Sequence, residues 1–136
     1  MTKIAFVCVH NSCRSQMAEA WALSLNEGRF DIHSAGTEVY HQVKPLAVKV
    51  MEEVGISMEK HYPKLLDDIP EELDILITMG CGVACPFVAN SYQEDWGLED
   101  PSGGPIEGFR ETRDIIKDKV SDLFERIENG EILYSK

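Results

Sequence analysis

The sequence has no apolar run approaching the ~20 residues of a membrane-spanning helix, so no membrane partner is expected. Basic residues are scarce: 13 Lys and Arg stand against 24 Asp and Glu, for a net charge of -11. A nucleic-acid binder would carry a basic patch, and none is visible. No secretory signal is evident, because Met1-Thr2-Lys3 runs directly into a strand-length apolar segment; the expected compartment is the cytoplasm. Internal repeats, linkers and low-complexity tracts are also missing. Cysteine is sparse, with Cys8, Cys13, Cys81 and Cys85 making up all 4. Without a secretory route these are not expected to form structural disulfides, which points them toward catalysis, redox chemistry or metal. Their C-x4-C and C-x3-C spacings differ from the C-x2-C pairs common in zinc clusters, so no metal is expected. What is present is 136 residues at 43% hydrophobic content, enough for one domain, 1–136, with a sizeable core.

Strand and helix patterns alternate along the chain. Lys3 to Val7 reads as a buried strand and Ser15 to Leu25 as a helix carrying Met17, Trp21 and Leu25 at helical spacing. Phe30 to Ala35 alternates as a second strand ended by Gly36. Pro45 suits the first turn of a helix with Leu46, Val50, Met51 and Val54 on its apolar face, closed by Gly55. A short helical turn is expected over Lys64 to Asp68, a buried strand over Asp74 to Met79, and an edge strand over Tyr92 to Trp96. Ile106 to Glu128 is the strongest helix, with Ile106, Phe109, Ile116, Val120, Leu123 and Ile127 repeating every three or four residues. This order predicts an α/β fold built on a parallel sheet covered on both faces. Ligands of such sheets bind beyond the C-terminal strand ends, where Cys8 sits and which Cys81 follows.

The segment Cys8-Val9-His10-Asn11-Ser12-Cys13-Arg14 places a cysteine and an arginine five residues apart between a strand and a helix. Such a loop aims backbone N–H groups at one point, where an anion is held by the amides of Val9, His10, Asn11, Ser12 and Cys13 and by the helix N-terminus. Arg14 adds a planar fork suited to a tetrahedral oxyanion. Cys8 lies in the same positive potential and is the candidate nucleophile. Ser15 is placed to hydrogen-bond the Cys8 sulfur, although Ser12 and Ser15 also suit an ordinary helix N-cap. Displacement at phosphorus or arsenic needs a proton for the departing oxygen, and Asp100, stiffened by Pro101, is the candidate donor. Asp-Pro is equally a routine turn signal. If the Cys81 to Cys85 stretch were helical, its Cβ atoms would lie ~5–6 Å apart, whereas a disulfide needs about 3.5–4.5 Å. Bonding them would require local unwinding, which Gly80 and Gly82 permit; the alternative is two small buried hydrophobes at a strand end.

Together these residues resemble a known family. Val7 to Glu19 is similar to the signature of the low-molecular-weight protein tyrosine phosphatase fold, and Ser34-Ala35-Gly36 and Asp100-Pro101 match its pattern. Within that family, Asn11 to Glu19 is closer to the thioredoxin-coupled arsenate reductases; the phosphatases usually carry proline where Gln16 stands. Trp96 to Pro101 resembles the reductases' acid loop, and Ser102-Gly103-Gly104 stands where phosphatases commonly place aromatics. The resemblance implies a three-layer, four-stranded parallel sheet with helices on both faces. It also implies reduction of arsenate to arsenite by a cysteine relay. In that relay Cys8 attacks the oxyanion, Arg14 holds it, Asp100 protonates the leaving oxygen, Cys81 attacks Cys8, and Cys85 attacks Cys81. The implied partners are arsenate (with phosphate or sulfate as mimic) and thioredoxin, with no cofactor and a monomeric chain. The alternative is a phosphatase acting on phosphotyrosine or small phosphomonoesters, which needs only Cys8, Arg14 and Asp100. The spacing of the Cys81/Cys85 pair is shorter than in better-known reductases. Cys13 is left over, for a protective or a structural role. Some family members bind potassium through residues matching Asn11, Glu19 and Ser34 and a carboxylate after His61; here Lys64 stands near that carboxylate position, and its ammonium is expected to replace the cation.

Overall fold

A computed structural model describes residues 2–38, 41–80 and 89–132. The described residues form β1 (Thr2–Cys8), α1 (Arg14–Leu25), β2 (Phe30–Gly36), α2 (Pro45–Glu53), a 3-10 turn (Leu66–Asp68), β3 (Glu72–Thr78), β4 (Ala89–Asp95) and α3 (Ile106–Glu128). Each element falls where the hydrophobic pattern places it, and α3 has the predicted ends. Other boundaries move by a few residues. β1 extends to Cys8, α1 begins at Arg14, β3 runs from Glu72 and stops before Met79, and β4 ends before Trp96. Strand ends shift because ladder hydrogen bonds, rather than side-chain polarity, decide where pairing stops.

The four strands form one parallel sheet in the order β2-β1-β3-β4. β1 lies in the interior, and its Ile4-Ala5-Phe6-Val7 run is buried on both faces, as a central parallel strand requires. The edge strands β2 and β4 carry the polar residues Asp31, His33, Gln93, Glu94 and Asp95. Ile4, Phe6, Ile75 and Ile77 join the main core with residues of α1, α2 and α3, while Ala5, Val7 and Leu76 face the smaller cluster of Ile69 and the 3-10 turn residue Leu66. Burying one such aliphatic side chain contributes ~1.5–3 kcal/mol.

Strand order reverses between β1 and β3, so the chain leaves these neighbouring strands in opposite directions and opens a crevice at their C-terminal ends. Helix α1 enters from that crevice. Every residue from Arg14 to Ala22 is buried, including Ser15, Gln16 and Glu19, because α1 packs against β1, β2 and α3 together. α3 then fastens α2. Arg110 grips Glu53 through Nε and Nη2 at 3.0 and 2.7 Å, and Arg113 donates to Glu53 and to the Val50 carbonyl at 2.9 and 3.0 Å. Arg110 first, then Arg113, hold the Glu53 carboxyl down at about 2.

Candidate active site

Cys8 is the last residue of β1, pairs in register with Gly36 of β2, and is buried. The following loop turns its carbonyls outward. Val9 O accepts from the N–H groups of Thr37 and Glu38 at 2.8 and 2.9 Å, Ser12 O accepts from Lys44 N–H at 2.7 Å, and Cys13 O accepts from Met17 N–H at 2.9 Å. Asn11 adopts φ +52°, which reverses the chain within the loop. The backbone N–H groups of Asn11, Ser12 and Cys13 find no acceptor among the described residues. Buried amides in that condition form an anion-binding nest. Gly36 makes this packing possible: a Cβ there would meet Val9 O at 2.7 Å and Asn11 N and His10 C at 2.8 Å. The Ser34-Ala35-Gly36 match in the sequence thus has a steric cause. His10 sits half-exposed on the loop with its Nε2 3.3 Å from Glu38.

Ser15 Oγ lies 2.9 Å from Cys8 Sγ. Asn11 Nδ2 donates to the same Oγ at 2.7 Å, so the Ser15 proton is left to point at the sulfur. The Asn11 amide is oriented in turn, since its Oδ1 accepts from Lys64 N–H at 2.8 Å and from Gln16 Nε2 at 2.9 Å. Gln16 also donates to Tyr62 O at 2.8 Å, and its Oε1 pairs with His61 Nδ1 at 3.0 Å. His61 and Lys64 both approach Glu19 Oε1, at 3.3 and 3.4 Å, and Lys64 Nζ donates to Tyr62 O at 3.2 Å. Burial raises the Glu19 carboxyl, but His61 and Lys64 outweigh it and hold it below its ordinary value. The N-cap of α1 is Cys13, with no side-chain cap, so neither Ser12 nor Ser15 serves as the cap. The Lys64 ammonium thus lies against the Glu19 carboxylate. Among the described residues no group of three His, Cys, Asp or Glu side chains converges on a metal-sized site.

Arg14 opens α1 rather than preceding it. Its Nη1 donates to two carbonyls, Met79 O and Leu98 O, both at 2.9 Å. That anchorage leaves the Nε/Nη2 edge as the fork for an oxyanion, and Nη2 lies 3.9 Å from Asp100 Oδ2. Asp100 is half-exposed, and its Oδ1 accepts the Ser102 N–H at 3.0 Å. Burial pushes its carboxyl up, but Ser102, Arg14 and Lys44 more than offset this and hold it below the usual range. Cys13 is buried and free; burial above all, reinforced by Asp100, pushes its thiol up to about 12. At neutral pH it is a thiol packed in the core. The structure thus gathers Cys8, Ser15, Arg14, Asp100 and the loop amides. Cys81 and Cys85 lie outside the described residues. No local sequence pattern marks Gln16 and His61 as members of the network behind Cys8, because the contacts of Gln16 with Tyr62 and His61 join residues more than forty apart.

Comparison with known proteins agrees with this geometry. The chain is 40% identical over 131 residues to a "Glutaredoxin arsenate reductase" of Synechocystis sp., covering 93% of this chain and 99% of that one. A solved structure described as an arsenate reductase in the phosphate binding state superposes with a TM-score of 0.81 at 38% identity, covering 93% of this chain and 99% of the other. A thioredoxin-dependent arsenate reductase of Corynebacterium glutamicum superposes with a TM-score of 0.80 at 30% identity, covering 96% of this chain and 63% of that longer chain. Residues 3–131 match the family described as low molecular weight phosphotyrosine protein phosphatase, and with the nest, the cysteine at its mouth and the parallel sheet beneath it, the chain belongs to that family.

Proposed function

We propose that this protein reduces arsenate to arsenite, with thioredoxin restoring the reduced enzyme. The observation that carries the reading is the Arg14–Met79 contact. It brings Met79, the residue after β3, against the guanidinium of Arg14 at the end of the Cys8 loop. In the sequence, Cys81, the thiol for the second step, follows two residues later. The similarity to proteins named as arsenate reductases supports the same chemistry.

In this mechanism the loop amides and Arg14 hold arsenate, and Cys8 Sγ attacks arsenic while Ser15 donates to the sulfur. Asp100 gives its proton to the departing oxygen, which leaves as water. Cys81 then attacks Cys8 Sγ. The electron pair of the sulfur–arsenic bond passes to arsenic, arsenite leaves, and a Cys8–Cys81 disulfide remains. Cys85 attacks Cys81, releasing Cys8 and forming a Cys81–Cys85 disulfide. The thioredoxin dithiol reduces that bond, supplying the two electrons that arsenic took up. Lys64 supplies the positive charge beside Glu19, so turnover does not depend on potassium. The chain acts as a single-domain cytoplasmic monomer; among the described residues no helix is long and apolar enough to cross a membrane.

The test is arsenate-dependent NADPH oxidation with thioredoxin and its reductase, repeated with glutaredoxin and glutathione. Wild type turns over with thioredoxin, and Cys81→Ser and Cys85→Ser do not. Turnover by both variants refutes the relay, and activity with glutaredoxin alone replaces the donor. Phosphoester hydrolysis without arsenate turnover would establish the phosphatase reading, for which Cys8, Arg14 and Asp100 suffice.

A further inference from the structure

Past the ends of β3 and β4 the two chains continue side by side. Thr78 and Asp95 are register partners in the ladder. Beyond them Trp96 N–H donates to Thr78 O at 2.8 Å and Leu98 N–H donates to Met79 O at 3.2 Å. This short bracket carries the two carbonyls that hold Arg14 Nη1. One side chain ties its two arms together. Asp95 Oδ1 accepts from Thr78 Oγ1 at 2.6 Å and from Gly80 N–H at 2.8 Å. These are the residues on either side of Met79. Gly80, at φ +103°, passes so close to Leu98 that a Cβ would lie 3.1 Å from Leu98 O. The arms therefore approach without side chains between them, and the Asp95 carboxylate closes the gap.

We propose that Asp95 is a positioning residue for oxyanion binding: by clamping Thr78 and Gly80 it fixes the Met79 and Leu98 carbonyls that aim the Arg14 fork. The proposal rests on the oxyanion-site reading given above. Its sign distinguishes it from simple electrostatics. Asp95 is an anion near a site for anions, so deleting its charge should tighten binding through Coulomb's law alone. The clamp requires the opposite, because a freed Met79 carbonyl lets the guanidinium swing away from its productive orientation.

The experiment is calorimetric titration of the reduced full-length chain with inorganic phosphate. Asp95→Ala is expected to bind roughly tenfold more weakly, the loss of about one charge-assisted hydrogen bond. Asp95→Asn retains near-wild-type affinity, since its amide oxygen still accepts from Thr78 and Gly80. Alanine-variant affinity equal to or tighter than wild type overturns the proposal, as does an asparagine variant as weak as the alanine one. If Asp95→Ala does not fold, Thr78→Val decides: it removes one of the two clamping bonds, and affinity unchanged from wild type overturns the proposal. Wild type that binds no phosphate overturns the oxyanion-site reading itself, and the role of Asp95 with it. That outcome is distinct from wild-type binding that Asp95 does not influence.

Discussion

Gly36→Ala tests whether the oxyanion loop is held in place by β2. The added methyl would lie 2.7 Å from Val9 O and 2.8 Å from both Asn11 N and His10 C. All three are backbone atoms, so no rotamer change relieves the contact. Ordinary van der Waals contact begins near 3.4 Å, so the loop or the strand must retreat by about 0.7 Å. If the structure resists, the strain costs ~1–3 kcal/mol of stability, as for other overpacked cores. If it yields, the nest moves relative to Arg14, and a misplacement approaching 1 Å costs about 100-fold in rate. The assay is urea unfolding of wild type and variant, with and without phosphate, alongside single-turnover arsenite release. The expected result is a lower unfolding midpoint, a weaker stabilisation by phosphate, or both. A variant with wild-type stability and wild-type phosphate response would refute the reasoning, because the methyl would then have found room where the geometry leaves none.

Ser15→Ala removes the proton aimed at Cys8 Sγ and should slow single-turnover attack by roughly 10- to 100-fold, the value of a hydrogen bond to a charged atom; an unchanged rate would take Ser15 out of the first step. Asp100→Asn should lower that step by about 10²–10⁴-fold while phosphate affinity is kept or improved, and equal losses in both would argue for a binding role. The Asp100 carboxyl sits below its usual range in the free protein, so it can donate only once the bound oxyanion's negative charge raises it, and the first step should weaken as pH rises through that raised value. Glu53→Gln probes the α2–α3 clamp. Because the folded carboxyl lies at about 2, below its ordinary 4.5, its stabilisation is complete above about 4.5 and fades as pH falls toward about 2. Urea midpoints measured across that window should fall more for wild type than for the variant, and parallel curves would show that the clamp contributes nothing.

Much of this was legible in the sequence because the governing signals are local. The Ile4 to Val7 run, the glycine and proline punctuation and the period of α3 each lie within one element. The C-x5-R loop reads as an anion site because the strand, nest and helix that build it are contiguous. The supports of that loop are not contiguous. Gln16 gave no sign that it would be buried among Asn11, Tyr62 and His61, since α1 looks amphipathic only if one of its faces is assumed to meet water. In the fold α1 is wrapped by β1, β2 and α3, and its polar residues turn inward to partners on the loops around it. Asp95 was hidden for a related reason. An acidic residue closing an edge strand suggests a solvated terminus, and only the pairing of β3 with β4 reveals its two donors.

The outward carbonyls of the Cys8 loop are caught by main-chain N–H groups of Thr37, Glu38 and Lys44, with the Thr37 hydroxyl a longer second donor to Val9 O at 3.4 Å. The fastening itself therefore asks no particular side chain of these three positions, and the loop keeps its shape whichever residue supplies the N–H. Only one residue type has no N–H to offer. Proline at any of the three would unfasten the loop, so the shared mark of working relatives at these sites should be its exclusion rather than any preferred amino acid.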